Sequence, residues 1–211
     1  MASSFASQIP TIVHLIKSLR PTTMLDVGKG FGKYGFLAHE YVGIPTRERP
    51  DPTQTMAQQS ELTIDAVEVE PTFLWPHLPH IYRKVYVGKI EDLQLELPDY
   101  DLVLMADVIE HIEKSRAEQV LRGFLKRGSK VIIATPRNFF HQDLYDSEFE
   151  EHVSHWPPHD MRALAPWVAY QNCGPGRVYL LSSAPVIVRG FGNSLLARGR
   201  SEFRVADVSI S

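Results

Sequence analysis

Two groups of residues have the types and spacing that chemistry requires. The first is Asp107-Val108-Ile109-Glu110-His111, with Glu150-Glu151-His152-Val153-Ser154-His155-Trp156 further along. Positions i, i+3 and i+4 share a helix face, so Asp107, Glu110 and His111 can converge. Two carboxylates and an imidazole form a mixed oxygen and nitrogen set suited to a divalent cation. Five of the nine histidines (His111, His141, His152, His155 and His159) fall in this part of the chain and supply a further ligand. A metal-free reading uses the same residues: Asp107 as helix N-cap, Glu110 as its capping-box partner, and a histidine as general base. His152-x-x-His155 has the spacing of a zinc pair, but no cysteines complete it.

The second group is "MLDVGKGFGKYG", residues 24–35, with four glycines and two lysines directly after an apolar run. A nucleotide P-loop needs G-x-x-x-x-G-K-[ST]. Here three residues separate Gly28 from Gly32, and Tyr34 follows Lys33, so no hydroxyl is placed for Mg²⁺. A dinucleotide fingerprint needs G-x-G-x-x-G, and Lys33 stands where its third glycine belongs. What remains is Asp26-Val27-Gly28-x-Gly30-x-Gly32. Glycines let a backbone approach a ligand where a Cβ would collide, and a following helix offers free N–H groups to an anion. For Lys29 and Lys33 the default expectation is a solvent-facing side chain.

The D-V-G-x-G-x-G run resembles motif I of the class I S-adenosylmethionine-dependent methyltransferases. The resemblance covers about residues 20–160. It implies a cofactor site formed by Asp26, Gly28, Gly30 and Gly32, with Glu68 of Val67-Glu68-Val69-Glu70-Pro71 accepting from the ribose hydroxyls. It places the adenine near Gly88-Lys89-Ile90-Glu91; Lys89 stands where many members have an acid, so backbone groups near Ile90, or Glu91 and Asp92, take over that contact. Asp107, after the fourth strand, is the last cofactor-side residue. The Asp107-x-x-Glu110-His111 pattern with a later histidine is similar to one found in ubiquinone-biosynthesis O-methyltransferases and in small-RNA 3′-terminal 2′-O-methyltransferases. Carried over, the metal ligands are Asp107, Glu110, His111 and His152, holding Mg, Mn, Fe or Zn. His152 and His111 are the catalytic candidates, and Asp107 replaces a commoner Glu. Tyr34, Phe139, Phe140, Tyr145 and Trp156 are candidates for shaping an acceptor pocket.

These residues need elements to position them. Strands are expected at Met24–Val27, Leu62–Val69, Tyr82–Val87, Tyr100–Ala106 and Lys130–Ala134. Helices are expected over 8–20, 32–42 with Phe36, Leu37 and Tyr41 inward, 115–126 with a Ser115/Glu118 capping box, and 159–171. Gly128 stops the third of these. The alternation predicts an α/β fold: a Rossmann-like, doubly wound, mostly parallel sheet in a single domain. Both groups then lie at carboxyl ends of strands, where such sheets bind ligands. Residues 45–60 form a long polar insertion, read as a surface loop, a lid or a partner surface. The tail from 192 is β-rich and completes the sheet or pairs with a second chain, which makes a homodimer possible.

Composition sets the outer limits. The net charge is −3, with 44% hydrophobic and 22% charged residues, an ordinary globular balance. No basic excess points to nucleic acid or a membrane surface. The single cysteine, Cys173, rules out a disulfide framework within the chain. The start has no signal-peptide pattern, and no run approaches the ~18 apolar residues of a span, so a cytoplasmic location is expected. The expected activity is S-adenosylmethionine-dependent O-methylation of a small-molecule hydroxyl: a sugar, a phenol or a secondary metabolite. RNA-terminal 2′-O-methylation and a catalytically silent cofactor-binding subunit are the alternatives.

Overall fold

The computed structural model describes residues 4–44, 51–141, 149–191 and 193–196, the last four as backbone. In chain order the elements are α1 (Ile9–Leu19), β1 (Thr23–Val27), α2 (Lys33–Ala38), α3 (Met56–Gln59), β2 (Thr63–Glu68), β3 (Lys84–Val87) and α4 (Ile90–Leu93). Then follow β4 (Leu102–Ala106), α5 (Lys114–Lys126), β5 (Lys130–Pro136), α6 (Pro158–Leu164), β6 (Trp167–Cys173), β7 (Gly176–Ser182) and β8 (Asn193–Leu196).

The strands form one sheet in the order β3-β2-β1-β4-β5-β7-β6-β8. The first five pair in parallel; β7, β6 and β8 add antiparallel. The apolar run of β4 explains its central place. Val103 and Met105 face one core with Phe124, Ile133 and Trp156, while Leu102 and Leu104 face the other with Ile12, Met24 and Leu180. A strand buried on both faces has no polar side to alternate with. The chain reverses between β1 and β4, and the crevice of such a sheet opens at the carboxyl ends of those strands. The glycine loop follows β1 and the Asp107–His111 turn follows β4, so both groups sit there.

Several local expectations are corrected. α2 stops at Ala38 and widens into a π-helical turn, His39–Gly43. Phe36 and Tyr41 are therefore 45% and 51% exposed, while Tyr34 and Ala38 fill the inward positions. The cap of α5 is Glu113, whose carboxylate accepts from the N–H groups of Ser115 and Arg116, so Ser115 and Glu118 form no capping box. α6 ends at Leu164, and residues 167–171, expected as helix, belong to strand β6. Pro166 breaks the helix there, and the aromatic and β-branched residues beyond it pair with β7. Asp107 and Glu110 do not cap a helix; Ile109–His111 is a 3-10 turn without a side-chain cap bond.

The insertion is partly structured: Thr55 and Gln58 form a reciprocal capping box at α3. Residues 45–50 lie outside the described residues, as do Tyr145 and the tail beyond 196. Among the described residues no helix is long and apolar enough to cross a membrane.

Candidate functional site

A cavity of about 830 Å³ opens at the carboxyl ends of β1, β2 and β4. Its wall includes Gly28, Gly30, Glu68, Ile90, Asp107, Glu110, His111 and His152, which brings most of the sequence-selected residues to one space. Asp26 and Gly32 are not on that wall. Asp26 is buried beneath the loop and accepts from the Tyr82 hydroxyl at 2.6 Å. Burial raises its carboxyl to about 6, against the pull of that hydrogen bond. Gly32 caps α2 from behind, at φ +86°. Gly28 is required on two counts: its φ is +67°, and a Cβ there would stand 2.3 Å from Val108 Cγ2. The glycine therefore lets the turn after β4 close on the loop after β1.

Lys29 corrects the expectation of a solvent-facing side chain. Its side chain is fully buried on the cavity wall. The ammonium donates to Glu68 Oε2 at 3.3 Å, to the Phe73 carbonyl at 2.8 Å and to the Gly30 carbonyl at 3.3 Å. One cation thus ties together the glycine loop, the end of β2 and the turn after it. The other Glu68 oxygen accepts from the Glu70 N–H at 3.1 Å. Burial lowers the Lys29 pKa, and Glu68 opposes the shift. Lys33 is also drawn inward, donating to Ser4 Oγ at 2.6 Å, while Tyr34 hydrogen-bonds the same hydroxyl at 3.0 Å. The segment before α1 therefore forms part of the cavity wall.

The acidic and histidine group divides in two. Asp107, at φ +53°, faces the N-terminal segment, where Gln8 Nε2 donates to Oδ1 at 3.5 Å and Oδ2 is buried without a hydrogen bond among the described residues. Burial raises this carboxyl to about 6, with Gln8 and the Lys33 charge opposing. Glu110, His111 and His152 form the other part: each offers a ligand atom, and the three atoms lie within 4.8 Å of one another.

That cluster is held from behind by backbone. His111 Nδ1 lies 3.0 Å from the Glu151 carbonyl, and His152 Nδ1 lies 3.0 Å from the Phe140 carbonyl. A carbonyl only accepts, so each Nδ1 carries the proton and each Nε2 keeps its lone pair. This is the way proteins orient imidazole ligands. Burial lowers the pKa of both rings, which favours the neutral form that binds cations. Glu110 is buried, and neither carboxylate oxygen has a hydrogen-bond donor among the described residues. Burial first, and Asp107 second, raise its pKa well above the ordinary value; the Thr135 hydroxyl opposes this without a hydrogen bond of ordinary geometry. A buried carboxylate with two unsatisfied oxygens beside two neutral imidazoles fits a divalent cation, because the cation supplies the missing charge and partners.

His155 points elsewhere, with its Nε2 on the Arg137 carbonyl at 3.1 Å, so His152 and His155 do not form a pair. Phe140 and Tyr34 line the cavity. Trp156 is instead core, donating to the Ile109 carbonyl and to Ser154 Oγ.

The sequence matches no protein-family model and no curated protein. Solved structures do share the fold. An O-methyltransferase family protein from Burkholderia thailandensis aligns with TM-score 0.56 at 14% identity, covering 83% of this chain and 55% of that one. This chain therefore spans about half the length of that protein. The methyltransferase domain of bacterial CtHen1-CN aligns with TM-score 0.54 at 19% identity, over 83% of this chain and 97% of that one. The N-terminal domain of EvdMO1, solved in the presence of S-adenosylhomocysteine and D-fucose, aligns with TM-score 0.59 at 10% identity, over 88% of this chain and 86% of that one. The fold is that of the methyltransferase structures.

Proposed function

We propose that this protein is an S-adenosylmethionine-dependent methyltransferase that methylates a hydroxyl of a small molecule, a sugar, phenol or secondary metabolite, with a divalent cation at Glu110, His111 and His152. One observation carries the reading: a single cavity runs from the glycine loop and Glu68 to the orphaned Glu110 carboxylate and its two imidazoles. The neighbours' own descriptions, an O-methyltransferase and a domain solved with S-adenosylhomocysteine and a sugar, support the same reaction type.

Each residue then has a task. Glu68, anchored by Lys29, accepts from the ribose hydroxyls through its remaining lone pairs. Ile90 would pack against the adenine, and Asp107 would receive the ammonium of the methionine moiety. The cofactor would supply an electrophilic methyl group to the acceptor oxygen, the C–O bond forming as the C–S bond breaks, with S-adenosylhomocysteine and the hydroxyl proton as the leaving products. Fixing the two reactants in line supplies most of the advantage. The acceptor hydroxyl must also lose its proton. When bound, the cation lowers the pKa of that hydroxyl. Two imidazoles and one carboxylate suit Mn, Fe or Zn better than Mg, which prefers an all-oxygen shell.

The direct test has three parts. Calorimetry shows S-adenosylmethionine binding and no NAD binding. Release of S-adenosylhomocysteine with a panel of hydroxyl acceptors stops on chelation and returns with Mn²⁺ or Zn²⁺. His152→Ala abolishes turnover and, measured without added cation, leaves cofactor affinity within about twofold. Binding of NAD alone refutes the reading. Turnover that survives chelation but not His152→Ala assigns His152 as a metal-free base. Cofactor binding without any turnover identifies a silent binding subunit.

The similarity of Asp107-x-x-Glu110-His111 and His152 to the small-RNA methyltransferase pattern favours a second reading, 2′-O-methylation of an RNA terminus. The acids Glu68, Glu70, Glu91 and Glu150 on the cavity wall weigh against a phosphate backbone. RNA binding that falls steeply with salt would favour it.

A further inference from the structure

Residues 149–152 touch both halves of the cavity in succession. The Phe149 ring packs under the Lys89 ammonium, 5.2 Å from ring centroid to Nζ, beside Ile90 on the wall. Glu150, the next residue, also lines the cavity and feels the charges of Glu68 and Glu70 on the cofactor side. The Glu151 carbonyl then orients His111, and His152 adds its own ring to the cation cluster. Immediately afterwards the N–H groups of Val153 and Ser154 donate to the Glu110 carbonyl at 2.8 and 3.0 Å.

We propose that residues 149–152 couple the two occupants of the cavity, so that cofactor and cation each bind more tightly when the other is present. The proposal rests on the functional reading above. Its physical basis is ordering. A ligand covering Phe149 and engaging Glu68 fixes the backbone on one side of a segment only a few residues long. The Glu151 carbonyl and the His152 ring are then already in place, and the cation no longer bears the entropy of fixing them. The linkage is reciprocal: the factor by which S-adenosylhomocysteine tightens cation binding equals the factor by which the cation tightens S-adenosylhomocysteine. Phe149 is a positioning residue in this scheme, because it touches neither the cation nor the reacting atoms.

The test titrates Mn²⁺ into the intact protein by calorimetry, with and without saturating S-adenosylhomocysteine, and then runs the converse titration. Cation affinity should rise about fivefold or more with S-adenosylhomocysteine bound, within the usual range for coupled sites, and the converse factor should match. Phe149→Ala should bring both factors to about one while leaving the Mn²⁺ affinity of the cofactor-free protein within about twofold. Equal Mn²⁺ affinities with and without S-adenosylhomocysteine in the wild-type protein overturn the proposal, whether or not the variant folds. A factor that persists in Phe149→Ala removes this segment as its carrier. Failure of Mn²⁺ to bind at all sinks the cation reading, and failure of S-adenosylhomocysteine to bind sinks the cofactor reading. Either takes the coupling with it.

Discussion

At the scale of residues, the site is defined by polar groups buried at a cost. Glu110 and Asp107 keep carboxylate oxygens without partners among the described residues, and Asp26 lies fully beneath the loop. Asp26 sets a testable pH dependence. Burial raises its carboxyl to about 6, above its ordinary value of 3.8, so the folded chain holds a proton that the unfolded chain releases. This contribution to stability is complete below about 3.8 and is lost as pH rises through about 6. At 1.36 kcal/mol per pKa unit the loss is about 3 kcal/mol. Asp26→Asn should flatten the slope of unfolding free energy against pH in that window, measured by urea denaturation. An unchanged slope assigns the effect to other groups. The candidate ligands Glu110 and His111 were legible because they are adjacent in sequence. Lys29 was not: its partners Glu68 and Phe73 are distant along the chain, and a lysine among glycines has no local pattern that marks it as buried. Nor does the spacing of Asp107, Glu110 and His111 reveal that Asp107, in a left-handed backbone, stays outside the group that Glu110 and His111 form with His152.

At the scale of elements, β1, β2, β4 and β5 were legible because they are short apolar runs that tolerate few other structures. Caps and breaks were not. Glu113 caps α5 from outside the helix pattern, and β6 follows Pro166 in a stretch that also fits helical spacing. The docking of 149–156 onto the 3-10 turn is the element-level feature most relevant to chemistry. Ser154 Oγ donates to the Ile109 carbonyl at 3.0 Å, and Trp156 Nε1 donates to the same carbonyl at 3.2 Å. Trp156→Phe removes one donor and leaves a void in the core. It should cost about 2 kcal/mol or more of stability and weaken Mn²⁺ binding by about tenfold, as expected for groups that support metal ligands. Calorimetry on the folded variant checks this; unchanged Mn²⁺ affinity would mean that the 149–152 segment holds its place without Trp156.

At the scale of the whole molecule, the doubly wound sheet was predictable from the alternation of elements, while at the antiparallel end most of β6 was expected as helix and the tail from 192, where β8 lies, was read only as β-rich. The cavity draws its wall from many elements, so its occupant should stabilise the fold as one unit. S-adenosylhomocysteine at a hundred times its Kd should add about 2.7 kcal/mol, which raises Tm by roughly 5–10 °C for a chain of this size. Differential scanning fluorimetry reads this directly, and a Tm unmoved by S-adenosylhomocysteine would mean that it does not bind the folded chain.

The sheet order carries a consequence for the nascent chain. The segment before α1 that walls the cavity is held by contacts from late in the chain: Ser7 Oγ donates to the Cys173 carbonyl, and the Gln8 side chain lies where a Cβ at Gly176 would stand. β5 likewise waits for β7, its neighbour across the antiparallel pairing. A ribosome that has released only the first five strands exposes a polypeptide whose β5 edge is bare as well as its β3 edge, with an unfinished cavity. Ligand capture by stalled translation products should therefore begin only once the β6–β7 hairpin has cleared the exit tunnel, so that binding competence arrives with that hairpin and nearly all at once.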